Sequence, residues 1–194
     1  MICVCAGVAL VACSGGKTSG EKTAFTKIDS LTETYLTLQD SMLQSWNVMM
    51  KDENEKIIAI HELLHAMIGD ESFDKSQIIT MEQRLIQLER IRFTQKTMAN
   101  PHLVDEYDFA SSSLITEILS LTESNPTFTS SKGLQNLVDK IRNSDQRVMA
   151  YRADYDSITG VFNAFLDSNK DYLKEIDENS VHEKRPLFQM ASGN

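Results

Sequence analysis

Cysteine is missing from nearly the whole chain. Cys3, Cys5 and Cys13 are the only three, so nothing after residue 13 can be held by a disulfide and packing alone must maintain the fold. Proline is almost as scarce, with Pro101, Pro126 and Pro186 the only ones in 194 residues, and glycine occurs eight times. Aromatics supply 7% of the chain. Sheet architectures rich in tight turns need more of these residues, so long helices broken at few places are expected. Positive charge is also short: 19 Lys and Arg stand against 28 Asp and Glu, a formal net charge of −9. That balance offers no footing for nucleic acid, which needs a clustered positive surface, or for electrostatic docking onto anionic lipid. There is no glycine-rich phosphate loop, no nucleophile-and-base arrangement and no cysteine-based metal pattern.

What is present begins with an address. Residues 2–12 form an apolar run too short to span a bilayer but suited to a signal-peptide core. Leu10-Val11-Ala12-Cys13 resembles a bacterial lipobox, which makes Cys13 the expected lipidation site and first mature residue. Acyl chains on Cys13 would supply the membrane affinity. Residues 14–24 read as a flexible tether, small and polar at Ser14-Gly15-Gly16.

From Phe25 a helical interval sets in through Ile28, Leu31, Tyr35, Leu38, Met42, Trp46 and Met49. It resumes at Ile57, Ile60, Leu64 and Met67 after a polar patch, Lys51 to Lys56, that reads as a solvated stretch or gentle kink. One long helix up to Gly69 is the economical expectation. A second helix, capped by Asp74 or Ser76, is expected to end near Asn100. A third follows Asn100-Pro101, asparagine as cap and proline at the first helical position. The fourth carries a steady heptad pattern over residues 134–166. Leu134, Ile141, Val148, Tyr155 and Phe162 recur every seven residues, with Leu137, Ser144, Tyr151, Ile158 and Phe165 as a second line. Such a helix, about 50 Å long, needs equally long partners, and with Ser144 its one poor core residue the seam should be nearly dry. These four make an all-α, antiparallel up-and-down bundle over residues 25–190, with long first and last helices.

Asn125-Pro126, Phe128, Asp145, Tyr151-Arg152-x-x-Tyr155-Asp156 and Phe162-Asn163 resemble the C-terminal half of the LemA family. Asp156 stands where that pattern has asparagine and Phe162 where it has tyrosine. Lys184-Arg185-Pro186-Leu187-Phe188 is similar to the basic-Pro-aromatic tail of the family, and Leu38 to Trp46 to its first helix. The family's Arg-Arg-x-Asp-Leu-Ile-Pro-Asn-Leu-Val segment falls on Glu55 to Leu64 with only the apolar positions kept, so no role of those residues carries over. The resemblance implies an envelope-anchored antiparallel helical bundle with signature positions Tyr151, Arg152, Tyr155, Asp156, Phe162 and Asn163. It names no biochemical activity.

His61-Glu62-Leu63-Leu64-His65 matches H-E-x-x-H, in which two histidines one turn apart grip zinc and the glutamate activates water. Glu82 or Glu89 would be a third ligand. Zincins hold substrate against a sheet edge, and this chain shows no convincing strand. His61 should border the apolar face and His65 lie further toward solvent. The motif therefore reads as an ordinary piece of helix, with zinc the alternative. Arg152 flanks the fourth-helix seam two turns after Asp145. It is either a solvated charge or, with Asp145, part of a pairing across the bundle that fixes helix alignment. Tyr151 and Tyr155 read as core aromatics.

The expected protein is a lipoprotein of the bacterial envelope, anchored on the periplasmic side through Cys13, with Ser14 favouring the outer membrane. It would be a non-catalytic scaffold or interaction module with an envelope protein as partner, no nucleic acid and no cofactor beyond the lipid. The alternatives are a zinc-dependent hydrolase using His61, Glu62 and His65, and a bundle that binds a small ligand between its helices.

Overall fold

A computed structural model describes residues 26–176 and 182–188; Cys13 and the whole 14–24 tether lie outside them. Helix α1 spans Lys27–Ile68, α2 Lys75–Arg90, α3 Pro101–Glu123, α4 Pro126–Ser130, α5 Lys132–Ser168 and α6 Lys170–Ile176. A single 3-10 turn covers Thr97–Ala99. No strand occurs among the described residues, and the fold is all-α.

Each long helix starts where a short polar side chain can take up an orphan N–H group. Thr26 and Asp29 cap α1 reciprocally, with Asp29 N–H donating to Thr26 Oγ1 at 3.1 Å and Thr26 N–H to Asp29 Oδ2 at 2.8 Å. The Thr26 hydroxyl and backbone donors hold the Asp29 carboxyl below its ordinary value. Asp74 caps α2, Asn100 caps α3 with Pro101 following, and Ser131 caps α5.

Contacts between α1 and the end of the chain run in opposite sequence order. Lys27 reaches the Tyr172 hydroxyl at 2.8 Å. Tyr35 packs on Phe162, Trp46 on Tyr155, and Ser144 donates to Asp52. Helix α2 packs on α1, and α3 is tied to α2 where Arg84 pairs with Glu117 and donates to Ser113. The core gathers Ile60, Leu63, Leu64 and Met67 of α1, Ile78 and Met81 of α2, Leu114 and Ile118 of α3, and Ile141, Tyr155 and Phe162 of α5.

Five expectations need correction. The second helix stops at Arg90, ten residues early, because the following segment turns Phe93 into the core beside Trp46 and Tyr107. Arg92 then crosses to α1, donating to Asn54 Oδ1 at 2.6 Å and to the Met50 carbonyl at 3.3 Å. Two short helices, α4 and α6, add to the four long ones, because Pro126 restarts the chain and a turn at Asn169 separates α6 from α5.

The second seam line also shifts. Arg152, Thr159 and Leu166 are buried where Tyr151, Ile158 and Phe165 were expected, and those three are half-buried. A straight helix turns 3.6 residues per turn and drifts about 20° per heptad from a strict seven-residue repeat. Three heptads of drift move the buried line by most of one residue. Finally, the Lys51 to Lys56 patch is not simply solvated: Glu53 and Lys56 are 7% and 2% exposed. Neither is the seam dry.

Candidate functional site

At mid-length the two long helices meet through charge. Lys56 Nζ lies 2.9 Å from Glu53 and 3.7 Å from Asp145 of α5. Tyr107 of α3 donates its hydroxyl to Glu53 Oε1. Burial, and then the Glu53 carboxylate, push the Tyr107 phenol far above its ordinary value, so it remains a donor. Ser144 donates to Asp52 Oδ2 at 2.6 Å, and Arg147 pairs with the same carboxylate. Arg152 grips Asp108 of α3 with both terminal nitrogens at 2.7 Å, a bidentate pair. Arg152 and Asp145 are therefore both paired across helices, each with its own partner. A cavity of about 10 Å³ between Glu53, Arg92, Tyr107 and Arg152 has room for roughly one water.

The second feature lies along the other end of α5. Residues 182–188 form an irregular strap against the helix. The Asn163 side chain pairs with the backbone of Arg185 in both directions, Nδ2 donating to the carbonyl and Oδ1 accepting from the N–H, each at 2.8 Å. Asp156 Oδ1 accepts the Phe188 N–H at 2.8 Å. Seven helical residues separate Asp156 from Asn163, about 10.5 Å of rise. Three strap residues separate Arg185 from Phe188, about 10 Å when extended. The two spacings match, so two side chains two turns apart can read the main chain of an extended segment.

Phe188 anchors the strap. Its ring lies between Trp46, stacked at 6.4 Å and 11°, and the edges of Phe93 at 5.7 Å and Tyr155 at 5.8 Å. The Arg152 guanidinium sits 4.7 Å from the Phe188 centroid and 5.7 Å from that of Phe93, within cation–π range. Further back, Lys184 pairs with Asp167 at 2.6 Å and lowers its carboxyl pKa. His182 meets Tyr35 edge-on, with Nε2 3.2 Å from the Leu173 carbonyl oxygen. The side chains of Glu183, Lys184 and Arg185 stay exposed, while Pro186 and Leu187 are half-buried.

No protein-family model, curated protein or solved structure matches this chain.

Of the signature positions, Arg152, Tyr155, Asp156 and Asn163 converge on the strap. Tyr151 is half-buried against the core, and Phe162 packs on Tyr35. His61, Glu62 and His65 are all exposed, so His61 lies further from the apolar face than its helical angle suggests. His61 does line a groove of about 330 Å³ between α1 and α2 with Glu82 and Glu89. Among the described residues, no three His, Cys, Asp or Glu side chains are grouped to hold a metal ion. Cys13 lies outside the described residues. None of the helices described is long and apolar enough to cross a membrane. Phe93 and Asp108 were missed from sequence, because a loop aromatic and one acid among many carry no periodic signal. Trp46 was visible only as a core residue.

Asn163→Ala removes both bonds to Arg185 and should loosen the strap upstream of its Phe188 anchor. Trypsin cleavage after Lys184 is expected to accelerate about tenfold or more, read by mass spectrometry under native conditions.

Proposed function

We propose that the protein is a LemA-like lipoprotein of the bacterial envelope, a non-catalytic scaffold that receives a protein partner. Its body is an antiparallel up-and-down bundle of α1, α2, α3 and α5, with α4 and α6 as short additions. The opposed order of the Lys27–Tyr172, Tyr35–Phe162 and Asp52–Ser144 contacts supports that arrangement. So does the opposed order of Asp108–Arg152 and Glu123–Arg142 between α3 and α5.

The observation that carries the reading is the meeting of the two most specific stretches of the resemblance. Arg152, Tyr155, Asp156 and Asn163 hold Arg185 and Phe188 through hydrogen bonds and ring contacts. A groove that grips peptide backbone suits a binding protein better than a hydrolase. Lipid on Cys13 would tether this bundle on the periplasmic side, at the outer membrane in preference to the inner.

Detergent partitioning of wild type against Cys13→Ala tests the anchor. Wild type is expected in the detergent phase and the variant in the aqueous phase; equal partitioning would refute the tether. Crosslinking in cells tests the partner, and a chain that captures no protein would remove the scaffold reading.

A further inference from the structure

We propose that the Asp156–Asn163 groove is a peptide-docking site for a partner, and that the chain's own 182–188 strap is its competing, gating occupant. This deepens the scaffold reading and rests on it. The partner's chemistry is written in the strap: an extended segment with basic residues, then proline, an aliphatic residue and a phenylalanine.

Three features of the strap's seating make its covalent link to the body unnecessary for recognition. Three of its hydrogen bonds to α5 are made by main chain, at Arg185 N–H and carbonyl and at Phe188 N–H, and any extended peptide offers the same groups. Its main buried anchor is Phe188, 6% exposed, in a pocket of Trp46, Phe93, Tyr155 and Arg152 drawn from α1, the α2–α3 connection and α5. Pro186 has no N–H to satisfy and presets an extended backbone at the half-buried position between them. Upstream, Lys184 meets Asp167, and the chain carries −9 overall, so basic residues before the proline are favoured.

Because strap and groove share one chain, the strap acts at an effective concentration in the millimolar range. A partner segment of equal intrinsic affinity binds only the fraction of molecules whose strap is open, and its apparent affinity falls by that fraction. The strap thus sets a threshold: weak or monovalent peptides are refused, and tight or multivalent ones displace it.

The test uses a fluorescent peptide of residues 182–188 with purified full-length wild type, Phe188→Ala and Asn163→Ala/Phe188→Ala, read by anisotropy. Circular dichroism checks folding. Phe188→Ala is expected to bind the peptide about tenfold or more tightly than wild type. The double variant should lose that gain, and a peptide with alanine for phenylalanine should bind none of the proteins. If Phe188→Ala is poorly folded, Arg185→Pro takes its place, since it deletes the N–H that Asn163 accepts and leaves the aromatic pocket intact. A folded, strap-released variant that does not take the peptide, or that binds it no better than wild type, overturns the proposal. In cells, equal capture of a partner by Phe188→Ala and by Asn163→Ala/Phe188→Ala, in both of which the strap is released, would overturn this groove while leaving the scaffold reading standing.

Discussion

Lys56→Met is expected to lower the stability of the protein by about 3–5 kcal/mol, the range for breaking one side of a buried ion pair. Lys56 is 2% exposed and faces Glu53 at 2.9 Å, so its loss strands a carboxylate that is itself 7% exposed. Tyr107 still donates to Glu53, but one neutral donor does not replace an ammonium. The penalty should therefore be largely a property of the orphaned charge. Adding Glu53→Gln removes that charge and keeps an acceptor for Tyr107, and it should recover at least about half of the loss. Urea unfolding followed by far-UV circular dichroism measures both values. A single variant as stable as wild type would show that Lys56 finds no more in the folded chain than it has in water.

Tyr155→Ala is expected to cost about 3–5 kcal/mol, with a structural signature that distinguishes it from an ordinary cavity. Tyr155 is fully buried and touches both Trp46 of α1 and Phe188 of the strap. Deleting it loosens the α1–α5 seam and the strap pocket together. Trp46 is the only tryptophan in the chain and stacks on Phe188, so its emission reports on the pocket. The Tyr155→Ala spectrum should shift toward that of solvent-exposed indole under conditions where helical content is retained. A destabilised variant with unchanged Trp46 emission would separate seam from strap.

The helices were legible because they are periodic. Thr26, Asp74, Asn100 and Ser131 cap helices in the ways short polar residues allow, and Asp74 and Asn100 were named from sequence as a cap or an alternative. The seam of α5 was legible over a few turns and then drifted, because an unsupercoiled helix does not keep a heptad. Charged residues misled for a different reason. Lys51 to Lys56 looks polar in one dimension, and only the approach of Tyr107 from α3 and Asp145 from α5 makes Glu53 and Lys56 interior residues. The strap site was half visible. Its helix residues and its Lys184 to Phe188 tail were both singled out, but nothing in sequence spacing says that segments 22 residues apart at Asn163 and Arg185 pair. The equal seven-residue step from Asp156 to Asn163 and from Tyr155 to Phe162 was the available signal.

The cluster of Asp52, Glu53, Lys56, Ser144 and Asp145 has a mechanical consequence. Sliding α1 past α5 by one turn is a shift of about 5.4 Å, and an all-apolar seam would offset much of it by repacking. Here such a slip would pull Ser144 off Asp52 and move Asp145 away from Lys56, leaving charge stranded between the helices. Axial load therefore meets a latch near the middle of the rod, and the two helices should carry tension as one stiff body.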